Sequence, residues 1–116
     1  MGLTRSAISQ ADDQYHAALG AAREGDTAGA RQLLERAYTV NRTHIGIRNA
    51  LGVLRLEAGD AAGAIALLKP LARELPGAAP IQLNLGNAMV AAGRAADAFT
   101  PLKRAASLAT SDHLTW

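Results

Sequence analysis

Apolar and small residues recur along this chain with a period of 34 residues, and each period holds two stretches of helical spacing. A shift of 34 aligns Ile47, Leu51, Gly52, Ala58, Gly59, Ala61, Ala62, Ala64, Leu68, Lys69 and Ala72 with Ile81, Leu85, Gly86, Ala92, Gly93, Ala95, Ala96, Ala98, Leu102, Lys103 and Ala106. The same shift upstream pairs Gly25, Asp26, Ala28, Gly29, Ala30, Leu33 and Leu34 with Gly59, Asp60, Ala62, Gly63, Ala64, Leu67 and Leu68. The pattern predicts helices near residues 9–23, 27–40, 44–57, 61–74, 79–92 and 95–109. Between the helices of each pair stand Gly25, Gly59 and Gly93, where a left-handed residue can end the first helix without a Cβ penalty. Asp26 and Asp60 follow and can accept from the free N–H groups of the second helix, whereas Arg94 breaks this pattern in the third copy. The chain thus divides into a flexible lead at 1–8, hairpins at 9–42, 43–77 and 78–110, and the start of a fourth repeat at 111–116.

Two prolines, Pro70 and Pro101, fall inside second helices, where each removes a backbone donor and predicts a bend of the outer helix around the core. Composition supports helices throughout. Apolar residues make up 49% of the 116 residues, yet the aromatics are confined to Tyr15, Tyr38, Phe99 and Trp116, so alanine and leucine must do the packing. The length allows one modest core.

A 34-residue period with two helices is the spacing of tetratricopeptide repeats, and the small and large positions of that family appear here in order over residues 11–112. Position 8 is Ala18, Gly52 and Gly86, and position 20 is Ala30, Ala64 and Ala98; both are small where the two helices of a hairpin cross. Position 24, the large apolar plug, is Leu34, Leu68 and Leu102. The resemblance implies an all-α, right-handed α-solenoid of three helical hairpins. The family's large aromatic positions 4 and 11 are not kept: they hold Gln14 and Ala21, Arg48 and Arg55, then Gln82 and Met89. Arg48 and Arg55 share a helix face near Glu35, and read as a salt-bridged, stem-packed pair rather than an anion site.

The same resemblance implies a concave groove lined by the first helix of each repeat. Its candidate binding residues are Tyr15, Leu19, Asn49, Val53, Leu56, Leu83, Asn84, Asn87 and Val90, a mixed apolar and amide surface with little charge. The family's carboxylate clamp is not made, because Tyr15, Leu19, Ala50, Pro80 and Asn84 stand where it needs lysine, arginine and asparagine. The run Leu83-Asn84-Leu85-Gly86-Asn87-Ala88 resembles the repeats of protein O-glycosyltransferases, whose groove asparagines hold an extended peptide backbone. An amide offers one acceptor and two donors, which suits a peptide of any sequence. Only Asn84 stands at the matching position, with His16 and Ala50 in the other copies.

Candidate chemistry is sparse. No cysteine, no Gly-x-Ser-x-Gly turn and no phosphate loop occurs, so no catalytic residue and no cofactor is expected. His16, His44 and His113 lack metal-ligand spacing and read as solvated or hydrogen-bonded side chains. Asp12 and Asp13 are adjacent, face different directions on a helix, and make a poor acid and base pair. Twelve basic and ten acidic residues are interspersed rather than clustered, which argues against a nucleic-acid partner despite a pI near 9.5. No apolar run reaches the length of a membrane span, so no membrane partner is expected either. Gly2 to Ser6 fits a loose acylation pattern, against which an unstructured lead is preferred.

These features predict a non-catalytic, cytoplasmic interaction scaffold that takes a protein or peptide in its groove. The alternative is the N-terminal arm of a larger bacterial-looking enzyme of glycosyltransferase, sulfotransferase or aspartyl hydroxylase type. Trp116 lies one period after Gln82, at the tryptophan position of a fourth repeat, with Ser111 and Asp112 as the loop and cap before it. From this the chain is expected to continue, and its last hairpin to expose apolar surface around Leu102, Ala105 and Leu108 and to favour self-association.

Overall fold

In the computed structural model residues 3–114 are described, with side chains through Thr110. The acylation pattern at Gly2, the side chain of His113 and the fourth-repeat position of Trp116 therefore lie outside the described residues. Six helices follow one another: α1 (Arg5–Arg23), α2 (Thr27–Val40), α3 (Ile45–Glu57), α4 (Ala61–Glu74), α5 (Ala79–Ala91) and α6 (Ala95–Leu114). No strand occurs among the described residues. Each helix packs on the next, and α3 also touches α5, which makes an α-solenoid of three stacked hairpins.

The three hairpin turns share one geometry. Gly25, Gly59 and Gly93 have φ of 86°, 87° and 77°. Around the first, Asp26 N donates to Ala21 O at 2.9 Å and Gly25 N to Ala22 O at 3.0 Å, and the same two bonds recur 34 and 68 residues on. This closes the free carbonyls of the first helix at a position that only glycine enters cheaply. Asp26 and Asp60 then cap α2 and α4, accepting from Gly29 N and Gly63 N at 2.9 Å each. α3 is capped by His44, whose Nδ1 accepts from Ile47 N at 3.0 Å.

Two boundaries differ from the sequence reading. α1 begins at Arg5 rather than near residue 9, because Thr4 accepts from Ala7 N at 3.0 Å and starts the helix inside the supposed lead. α6 does not stop near residue 109 but runs through Leu114, so Ser111 and Asp112 lie within a helix rather than forming a loop and cap. No glycine or proline follows Pro101 to interrupt it. Neither Pro70 nor Pro101 breaks its helix.

The core lies along the stack in two clusters. One gathers Ala11, Ala18, Ala30, Leu34, Ala37, Ile47, Leu51, Leu54 and Leu67; the other joins residues of α4, α5 and α6 around Leu68, Leu71, Ile81, Leu85 and Met89. Glycine permits the close crossings. A Cβ added at Gly52 would meet Leu68 Cγ at 2.8 Å, and one at Gly86 would overlap the end of the Leu102 side chain. At the end of the stack the expected apolar exposure shifts position. Ala105 is buried and Leu102 and Leu108 are half-buried, whereas Phe99 is 66% exposed. Phe99 occupies the repeat station of Ile65, which is 8% exposed because α5 packs over it.

Candidate functional site

The first helices α1, α3 and α5 carry all nine candidate groove residues, but the structure gives them different work. Tyr15 is half-buried, and its ring closes over the backbone of Gly46, where an added Cβ would lie 2.7 Å from the phenol. It also sits edge-on to His16 and tilted against His44, with ring centroids 5.5 and 4.9 Å away. Leu56 packs against the second core cluster. These two residues join repeats rather than present open surface.

Leu19 and Val53 do share an opening, a cleft of about 370 Å³ between α1, α2 and α3 whose walls include Ala22, Leu34 and Ala50. Asn49 and Asn84 meet across α3 and α5: Asn84 Nδ2 donates to Asn49 Oδ1 at 3.0 Å. The pair leaves one N–H and the carbonyl of Asn84, and both N–H groups of Asn49, for another partner. Leu83, Asn87 and Val90 are exposed on α5, the first and last by 47% and 51%. The surface therefore runs from an apolar cleft to an amide pair to an apolar ridge.

Polar contacts outside the groove are chiefly structural. His44 Nδ1 accepts a backbone N–H, so its Nε2 carries the proton and donates to Asp12 Oδ1 at 3.1 Å, latching α1 to the start of α3. His16 Nδ1 lies 2.7 Å from the carbonyl of Asp12. Both histidines are hydrogen-bonded, and no group of three His, Cys, Asp or Glu that could hold a metal occurs among the described residues. Arg55 pairs with Glu35 as the sequence predicted, whereas Arg48 pairs with Glu74. Hydrogen bonding to Glu35 holds the Arg55 guanidinium above its ordinary range. The hydrogen bond from Arg48 holds the Glu74 carboxyl below its ordinary range. Among the described residues no helix is long and apolar enough to cross a membrane.

Sequence reasoning missed the His44 latch and the exposure of Phe99. It also missed a second cleft, between α4 and α6, although the non-aromatic residues Gln82 and Met89 at large aromatic positions signalled missing bulk there.

The tetratricopeptide repeat family model matches residues 55–109. This stretch belongs to the tetratricopeptide-repeat family. The solved structure of a mutant O-GlcNAc transferase from Thermobaculum terrenum is 28% identical, with a TM-score of 0.79 over 92% of this chain. That similarity spans only 20% of the transferase chain. Two structures of MamA share the fold. One, a point mutant, is 20% identical with a TM-score of 0.76 over 84% of this chain and 72% of its own. The other is 19% identical with a TM-score of 0.74 over 91% of this chain and 58% of its own. A search of curated proteins finds no match. The match to the transferase accords with the resemblance read from the third repeat, and six helices on tetratricopeptide neighbours agree with the solenoid expected from the period.

Proposed function

We propose that this repeat array is a protein-interaction module that holds an extended peptide segment along α1, α3 and α5. The observation that carries the reading is the Asn49–Asn84 pair, set between the Leu19–Val53 cleft and the Leu83–Val90 ridge. Its unused amide groups can bond a peptide backbone while the apolar patches on either side take alternate side chains.

The test is to select binders from a phage-displayed library of unstructured peptides and to compare wild type with the variant carrying Asn49→Ala, Asn84→Ala and Asn87→Ala. Asn49 and Asn84 bond each other, so removing both leaves no orphaned partner and the melting temperature should barely move. Lost backbone hydrogen bonds of about 0.5–1.5 kcal/mol each should weaken selected peptides by roughly tenfold or more. Selected peptides that bind the triple variant unchanged would refute the groove.

A second reading has its own support. The 28% identity to O-GlcNAc transferase favours a repeat arm that presents substrates to a catalytic part of the same polypeptide. Intact mass of the native polypeptide separates the two: a mass near 12.0 kDa refutes the arm.

A further inference from the structure

Residues 34 apart occupy matching stations, so the space between α2 and α4 can be compared with that between α4 and α6. In the first space, Arg55 on the floor helix α3 spans the opening. Its Nε and Nη2 donate to Glu35 of α2 at 3.2 and 2.8 Å, and its Nη1 donates to the carbonyl of Gly63 in α4 at 3.3 Å. The space is filled and its charges are paired.

One period on, each of those parts changes. Arg55 becomes Met89, which is shorter and neutral, and Arg48 becomes Gln82. Glu35 becomes Lys69, Thr39 becomes Arg73, and Arg104 stands on the facing helix α6. The result is a cleft of about 280 Å³ with Leu85, Met89 and Pro101 on its apolar floor and Lys69, Arg73 and Arg104 around it. No acid lines the cleft, and none of the three cations forms an ion pair among the described residues. Gln82 is 1% exposed and donates both its N–H groups, to Ala72 O and Pro76 O at 3.2 Å each. Three cations so close together repel one another, and a counter-charge relieves them. In the first space the chain supplies that counter-charge itself, through Glu35; in the second it does not. At about 280 Å³ the cleft falls just below the usual span of small-molecule pockets, which suits one or two side chains better than a cofactor.

We propose that the α4–α6 cleft binds an acidic peptide segment of a partner protein, with an apolar side chain seated on Leu85, Met89 and Pro101 and flanking carboxylates on Lys69, Arg73 and Arg104. This site lies on the face of the second helices and is independent of the peptide groove.

The test uses a fluorescent, acetylated five-residue peptide that alternates glutamate with leucine, measured by polarisation at low salt. Met89→Trp fills the cleft and should weaken binding at least tenfold; because Met89 also belongs to the core, the melting temperature is measured alongside. The double variant Lys69→Glu and Arg104→Glu changes only partly or fully exposed side chains, so it keeps the test valid if the tryptophan variant folds poorly. It should abolish binding of the acidic peptide and create binding of the matching lysine–leucine peptide. The triple asparagine variant of the groove should bind the probe as wild type does, which separates this proposal from the groove reading. Equal binding of an all-glutamate peptide, survival of binding in the charge-reversed variant, or no binding to wild type would overturn the proposal.

Discussion

Gly52→Ala adds one methyl group where α3 and α4 cross with no room for it. The new Cβ would sit 2.8 Å from Leu68 Cγ and 2.9 and 3.2 Å from its two methyl carbons. A relaxed carbon contact lies at about 3.5–4.0 Å, so the side chain or the helix axes must yield by roughly 0.7 Å or more. Leu68 is completely buried and cannot swing into solvent. Overpacking of this kind costs about 1–3 kcal/mol, while alanine returns about 1 kcal/mol of helix propensity over glycine, which leaves a net loss of about 1 kcal/mol. With Leu68→Ala in the background the clash disappears and only the propensity remains, so the same substitution should stabilise by about 1 kcal/mol. The sign reversal amounts to a coupling of about 2 kcal/mol, within the range seen for side chains in contact. Urea unfolding followed by circular dichroism measures all four corners of the cycle, with osmolyte added because Leu68→Ala alone costs about 2–5 kcal/mol. Effects that add to within about 0.5 kcal/mol would refute the crossing as the reason for glycine here.

Two further outcomes follow from the same geometry. Ile65 and Phe99 occupy one repeat station but only Ile65 is covered, so Ile65→Ala should cost about 2–5 kcal/mol and Phe99→Ala less than about 1 kcal/mol by thermal melting; equal costs would show that the end of the stack is not open. Glu74 has a lowered carboxyl pKa in the folded state, so its pair with Arg48 stabilises above the unfolded carboxylate value of about 4.3 and is lost as pH falls through the lower folded value. Glu74→Gln should therefore melt below wild type at neutral pH and level with it in acid, by a small margin because the Glu74 carboxylate is exposed; a gap that persists unchanged at low pH would contradict this.

The hairpins themselves were legible in the sequence because their determinants are local. Glycine at each turn, aspartate at two caps and small residues at positions 8 and 20 fix where helices stop and how closely they cross, whatever lies further away. The same local logic misplaced α1 and α6, since Thr4 and the uninterrupted stretch after Pro101 extend helices beyond the repeat that defined them. The site was legible only in part. Spacing put nine residues on the first helices, but whether each faces solvent, a neighbouring repeat or another amide depends on packing between hairpins. Tyr15 closes over Gly46 and Leu56 joins the core, while Asn84 finds Asn49 35 residues away. The sequence by itself determined the helices and their pairing, through side chains within a few residues of one another. Only the tertiary structure decided which surface remained open, because burial and ion pairing are settled between residues far apart in the chain. Thus Arg55 fills one space with Glu35, and the matching residues Met89 and Lys69 leave the next one empty.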